Sequence, residues 1–286
     1  MIDHVIFDAN ALCHFARYGM KNNPLTNEES QVEVIFTFFQ YLLRYYKLFK
    51  TNNFIFCWDS RKSKRRDIYP DYKKQRRDNK TEEDYAFDAI TFPQFNILRR
   101  DTLPELGFNN NFIQTGYEAD DMIAMVTQRY HDYRLIIVSN DGDLYQLLTD
   151  KCTIYNFKSK KLYTEHDFWK EYKISPYEWL KVKAIAGCAT DNVKGIDGVG
   201  EKTAIKYLTG ELKRGSKAYE LIENSSQIRL YTERLVRLPF ENVTQKKIAS
   251  NDLKISNFIK VFEKYNFKYF LRNDNLQQWE DFVYGN

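Results

Sequence analysis

Between residues 116 and 150, five carboxylates in two short clusters flank a single apolar run, and this arrangement constrains the chain most. The first cluster is Glu118, Asp120 and Asp121, within Gly116-Tyr117-Glu118-Ala119-Asp120-Asp121-Met122. The second is Asp141 and Asp143, within Ser139-Asn140-Asp141-Gly142-Asp143, directly after Leu135-Ile136-Ile137-Val138. Four aliphatics closed by Asn-Asp-Gly read as a buried strand with a turn at its C-terminal end. Residues 119–130 read as a helix whose dipole tolerates the acidic residues at its start. Glu118 and Asp121, three apart, can share a face. Taken singly, each cluster is explained by helix capping or an acidic turn. If the two converge, unit charges about 4 Å apart repel by about 4 kcal/mol at an effective dielectric of about 20. Such carboxylates raise one another's pKa values or splay apart. A divalent ion resolves the repulsion, and oxygen-only ligands point to Mg²⁺ or Mn²⁺.

Two further stretches argue for convergence. Val5-Ile6-Phe7-Asp8-Ala9-Asn10 reads as a buried strand ending in a carboxylate and an amide, and Phe54-Ile55-Phe56-Cys57-Trp58-Asp59 as another ending in Asp. Between them, residues 26–30 offer helix-start chemistry, after which Val32, Ile35, Phe36, Phe39, Leu42, Leu43 and Tyr46 follow helical spacing. Strand, helix, strand implies a right-handed parallel crossover. In such sheets the functional crevice lies beyond the C-terminal strand ends. Asp8, Asp59 and Asp141 would then meet at one edge.

The chain leaves Asp59 in a strongly basic segment, residues 61–80, with ten Lys or Arg against three Asp and with Tyr69 and Tyr72 interleaved. Most charge runs are solvated surface. A basic, aromatic-bearing segment beside an acidic metal site instead suggests a phosphate-backbone substrate. Residues 81–84 start another helical segment running to about Arg100, broken by Leu103-Pro104 and Gly107. Residues 153–157 could form a strand, and Pro176 opens a helix to about Ala186. Next, Gly195, Gly198 and Gly200 punctuate a tight connection before a second helix, residues 201–208. Backbone amides of a Gly-rich turn at a helix N-terminus form an anion site. With Lys202 following, the unit resembles a helix–hairpin–helix that grips a DNA phosphate. The remainder reads as polar and mostly helical.

Composition sets the outer bounds. At 286 residues one or two domains are expected, and a net charge of +4 says little about partners. The four cysteines, Cys13, Cys57, Cys152 and Cys188, show no CxxC spacing, which argues for a reducing compartment and against a zinc site. With no signal-peptide pattern and no apolar run approaching the roughly 20 residues of a membrane span, a cytoplasmic protein is expected.

Taken together these residues resemble the 5′-nuclease family: the N-terminal nuclease domain of bacterial DNA polymerase I, bacteriophage 5′–3′ exonucleases and flap endonucleases. The matching segments are Phe7-Asp8-Ala9-Asn10, Asp59, Tyr72-Lys73 with Arg76, Glu118-Ala119-Asp120-Asp121, Asn140-Asp141-Gly142-Asp143, and Asp191-Asn192 before Gly198-Val199-Gly200-Glu201-Lys202-Thr203-Ala204. Weaker matches lie at residues 235–239 and 262–271. With no polymerase portion in the chain, a stand-alone enzyme most like the bacteriophage members is expected.

The resemblance implies an α/β fold, with a parallel-sheet PIN-like nuclease core over residues 1–180. A helical arch would occupy about 61–100, and a helical DNA-binding portion with the helix–hairpin–helix residues 181–286. It implies that Asp8, Asp59, Glu118, Asp120, Asp121, Asp141, Asp143 and Asp191 hold two Mg²⁺ ions, with Mn²⁺ able to substitute. Lys73 and Arg76 would be catalytic contacts to the scissile phosphate, and Tyr72 would stack on a nucleotide. Lys183, Gly198, Gly200 and Lys202 would hold duplex backbone, with K⁺ at the hairpin. The activity implied is 5′–3′ exonuclease and flap endonuclease on DNA with a 5′ single-stranded end or flap, or on an RNA–DNA hybrid. The enzyme would be a monomer that removes RNA primers or flaps in replication, in the host cytoplasm if the protein is a phage's.

One departure stands out. Cys188 occupies the first Asp position of the family's Gly-Asp-x-x-Asp-Asn motif, with the spacing to Asp191 and Gly200 kept. A thiol is a poor Mg²⁺ ligand, so the second ion is in doubt. The alternative reading is a nucleic-acid-binding protein with weakened or lost catalysis. A small PIN-type ribonuclease would share the acidic edge, but explains neither the hairpin nor the chain length. Arg17 is a candidate for the Arg that follows the first Asp in some members.

Overall fold

Alternation along three adjacent strands fixes the core. Val5 and Phe7, Phe54 and Phe56, and Ile136 and Val138 face one side, while Ile6, Ile55, Cys57, Leu135 and Ile137 face the other. Both faces are covered, as parallel sheets require. The computed structural model of the chain describes residues 2–19, 25–27 and 30–285.

Strand β1 (His4–Asp8) leads directly into α1 (Ala9–Gly19). The expected helix start at residues 26–30 falls differently. Thr26–Asn27 (β2) and Ser30–Gln31 (β3) pair antiparallel, Glu28 and Glu29 lie outside the described residues, and α2 spans Glu33–Phe49. Strand β4 (Phe54–Cys57) is followed by three helices: α3 (Lys64–Ile68), α4 (Lys74–Asp78) and α5 (Glu82–Ile97). Thr81 and Asp84 form a reciprocal cap at the start of α5. Helix α5 does not break at Leu103-Pro104. A π-turn over Leu98–Thr102 carries it into α6 (Leu103–Leu106), and Gly107, at φ 98°, ends it.

Short β5 (Asn111–Phe112), α7 (Ala119–Arg129), β6 (Leu135–Val138) and β7 (Cys152–Asn156) complete the parallel part. Strand β8 (Lys161–Tyr163) adds an antiparallel edge that the sequence pattern did not reveal. The sheet order is β5-β4-β1-β6-β7-β8. Because β4, β1 and β6 run parallel, their C-terminal ends lie along one edge.

Helix α8 (Glu165–Tyr172) precedes α9 (Trp179–Ala186), which Pro176 introduces through a short 3₁₀ turn. The paired strands β9 (Gly187–Cys188) and β10 (Val193–Lys194) fold the chain back before α10 (Glu201–Leu208). Here backbones touch: a Cβ on Gly187 would sit 2.4 Å from Gly195 N, which excludes any larger residue. Helices α11 (Lys217–Asn224) and α12 (Ser226–Val236) follow, and α12 packs on α9.

The last two helices pack back across the expected division at residue 180. Phe258 and Phe262 of α13 (Ile255–Lys264), and Trp279 and Phe282 of α14 (Asn273–Tyr284), are buried against Phe39, Phe54 and Phe108. Residues from 255 onward therefore add to the core on one face of the sheet. No helix among the described residues is long and apolar enough to cross a membrane.

Candidate active site

Beyond the shared strand edge, hydrogen bonds tie the acidic residues into one crevice. Ser139 at the end of β6 donates its hydroxyl to Asp8 Oδ2 at 3.2 Å, and Ala11 N–H donates to Asp8 Oδ1 at 2.9 Å. Asn10 Oδ1 accepts from Asp59 N–H at 2.9 Å, and Asp59 Oδ1 accepts from Ala119 N–H, the first residue of α7, at 2.8 Å. Asp141 Oδ1 accepts from Asp143 N–H at 2.8 Å. These bonds set Asp8 and Asp59 beside the shared strand edge that Asp141 follows.

Their electrostatics follow. Burial, then Asp59 and Asp141, push Asp8 up to about 7. Burial, Asp141 and Asp8 hold Asp120 well above the usual carboxylate range. Burial and Asp143 raise Asp141, and the protein packed around Asp59, with Glu118, raises it too. Among the described residues no Lys or Arg lies within 4.0 Å of Asp8, Asp59, Asp120 or Asp141. Crowded hard-oxygen donors without a protein cation fit a divalent ion.

Immediately beside them the charge is balanced differently. Lys73 Nζ lies 2.8 Å from Glu118 Oε1 and 3.6 Å from Asp191 Oδ2, and Arg76 Nη2 lies 2.7 Å from Asp191 Oδ1. Burial opposes charge on Glu118, but Lys73 and Arg65 outweigh it and lower its pKa. Burial likewise opposes charge on Lys73, and Glu118 and Asp191 overcome it, holding the ammonium above its usual range. Asp143, Cys188 and Asp191 offer donor atoms within 4.8 Å of one another. Burial, Asp143 and Asp191 push the Cys188 thiol up to about 12.

Comparison with known proteins agrees with this geometry. Residues 3–173 match the family model of the 5′–3′ exonuclease N-terminal resolvase-like domain. The chain belongs to the 5′–3′ exonuclease family. A 5′–3′ exonuclease of Mycoplasmopsis pulmonis is 31% identical over 78% of this chain and 71% of its own length. One from Bacillus subtilis is 33% identical over 60% of this chain, a match spanning 56% of that relative's length. Thermostable DNA polymerase I of Thermus thermophilus is 32% identical over 58% of this chain and 18% of its own length. Among solved structures, bacteriophage T5 5′-exonuclease with bound zinc shares the fold at TM-score 0.69, 24% identity, covering 82% of this chain and 89% of that one. Flap endonuclease-1 from Methanococcus jannaschii shares it at TM-score 0.61, 14% identity, covering 98% and 92%.

Within this exonuclease family fold, three expectations need correction. Asp121 is not available as a metal ligand. It is 0% exposed, and Arg65 grips both its oxygens at 2.7 Å. Asp120 and Asp121 are adjacent on α7, so they lie about 100° apart around it, and when one enters the crevice the other enters the core. Tyr72 offers no face to a base: its ring, 3% exposed, packs with Leu180, Val193, Leu235 and Val236, and its one hydroxyl proton lies between Glu118 Oε2 at 2.7 Å and Asp191 Oδ2 at 2.8 Å. Lys183 is not free for duplex backbone, because it pairs with Asp143 at 3.0 Å and Glu201 at 2.8 Å.

By contrast, Gly198, Gly200 and Lys202 are exposed at the hairpin, beside a cleft of about 820 Å³ that reaches Gln75 on α4. Arg65 is the residue sequence reasoning missed. Its guanidinium also donates to the carbonyls of Leu235 and Arg237, so it anchors the arch base, the start of α7 and the chain after α12 together. Nothing distinguished it within a basic run. Arg17 pairs with Asp88 and donates to Thr91, fastening α5 to α1 behind the site.

Proposed function

We propose that this chain is a Mg²⁺-dependent, structure-selective 5′-nuclease, a phosphodiesterase with 5′–3′ exonuclease and flap-endonuclease activity on DNA. The observation that carries the reading is the crevice itself. Asp8, Asp59, Asp120 and Asp141 raise one another at one strand edge, with none of them in an ion pair among the described residues, and Lys73 and Arg76 stand beside them. Asp8, Asp120 and Asp141, supported by Asp59 and Glu118, would hold the ion. When bound, it supplies activation of water and stabilisation of the leaving oxygen in an in-line phosphodiester displacement.

The chain's own groups do the rest. Lys73 and Arg76, paired with Glu118 and Asp191, would turn their remaining N–H donors to the scissile phosphate, where the transition state gains negative charge. The segment from α3 to α5 would arch over the crevice and pass a single-stranded 5′ end. Lys202 and the amides after Gly198 and Gly200 would hold a duplex phosphate, with K⁺ as a partner ligand of the hairpin. Removal of RNA primers or 5′ flaps by a monomer in the cytoplasm fits this set of parts. A binding-only role finds no support, because the first carboxylate group is complete. A labelled 5′-flap duplex incubated with and without Mg²⁺ tests the reading. Cleavage near the junction only with the ion is expected, and no cleavage in either condition would overturn it.

A further inference from the structure

We infer that this chain holds no second hard divalent ion at the Asp143–Cys188–Asp191 triad, although its donor atoms lie within 4.8 Å of one another, and that protein cations take the ion's place there. The inference rests on the metal-dependent reading above and specifies its stoichiometry.

Occupancy of the oxygens separates the two places. At the triad every carboxylate oxygen already has a protein donor. Lys183 Nζ lies 3.0 Å from Asp143 Oδ1, and Cys188 Sγ donates to Asp143 Oδ2 at 3.2 Å. Arg76 Nη2 donates to Asp191 Oδ1 at 2.7 Å, and Asp191 Oδ2, 2.8 Å from the Tyr72 hydroxyl, shares that hydroxyl's one proton with Glu118 and lies 3.6 Å from Lys73 Nζ. An entering ion would compete with these donors for the carboxylate oxygens and sit against Lys183, Arg76 and Lys73. At Asp8, Asp120 and Asp141 it displaces no cation, and Asp141 keeps one oxygen without a protein donor among the described residues.

The donor set points the same way. Asp143, Asp191 and the adjoining Glu118 face Lys183, Lys73 and Arg76, with Lys183 shared with Glu201 and Arg65 3.7 Å from Glu118. Cys188 adds no charge as a thiol and no hard oxygen. Nor does its side leave room for a substituting water, because the residue is 3% exposed and packs with Leu180, Val193, Leu235 and Val236. The fixed positive charge a second ion would bring is thus built into α4 and α9.

Counting bound Mn²⁺ by electron paramagnetic resonance on the DNA-free protein tests this independently of cleavage. Wild type and Cys188→Ser should each bind one ion, whereas Cys188→Asp should bind two. Two ions of similar affinity on wild type, or no gain in Cys188→Asp as a folded protein, would overturn the inference. If Cys188→Asp fails to fold, the wild-type count alone decides. No bound Mn²⁺ at all would overturn the metal reading itself, which distinguishes the two failures.

Discussion

Replacing Asp8 with Asn should stabilise the ion-free protein while abolishing its activity. Asp8 is pushed from 3.8 up to about 7, first by burial and then by Asp59 and Asp141. At about 1.4 kcal/mol per pKa unit, holding this carboxylate charged destabilises the ion-free fold by roughly 4 kcal/mol above neutral pH. Asn keeps an oxygen for the Ala11 N–H but disturbs the Ser139 bond, a loss of about 1 kcal/mol. The net gain of about 2–3 kcal/mol should raise the melting temperature by roughly 5–10 °C for a chain of this size. The sign follows from linkage: between about pH 4 and 7 the folded state binds the Asp8 proton more tightly than the unfolded chain does, so wild-type stability falls as pH rises through that window. The advantage of Asp8→Asn should therefore be full at pH 8 and vanish towards pH 4. Thermal melts in EDTA at several pH values measure it. A mutant that melts at or below wild type at pH 8, or a gap that does not shrink on acidification, would refute the reasoning. Added Mg²⁺ should stabilise wild type and leave the mutant nearly unchanged.

Three other outcomes are expected. Asp121→Asn should leave Mn²⁺ affinity intact but lower stability by about 3–5 kcal/mol, because it strands buried Arg65; chemical denaturation alongside metal titration separates the two effects. Lys73→Ala should slow single-turnover cleavage far more than it weakens substrate binding, and an equal loss in both would reduce Lys73 to an ordinary phosphate contact. Lys202→Ala should weaken binding to all duplexes alike and reduce the salt-dependence slope by about one, which binding isotherms at several salt concentrations would show.

Much of the sheet and its acidic edge was legible because hydrophobic period and strand-end Asp residues are local signals. β1, β4, β6 and β7 came from apolar runs, and Asp8, Asp59 and Asp141 from what ends or follows three of them. What sequence could not give was which way neighbours turn. Asp120 and Asp121 look equivalent in a row, yet the helix sends one to the crevice and the other to Arg65. Tyr72 sits in a basic run that reads as exposed, but residues from α9, β10 and α12 close over its ring. The placement of α13 and α14 depends on packing against Phe39 and Phe54, a contact more than 200 residues away along the chain. Lys183 was read as a DNA contact because its two carboxylate partners, Asp143 and Glu201, meet it only through the fold.

The central claim is that the converging carboxylates form a metal-dependent nuclease site, and Asp141 tests it most directly. Its charge helps raise Asp8 and Asp120, and it forms no ion pair with the described residues. Single-turnover cleavage of a labelled 5′-flap substrate in Mg²⁺ should be lost in Asp141→Asn, while the same protein binds that substrate with nearly wild-type affinity. Cleavage by Asp141→Asn at the wild-type rate would contradict the account.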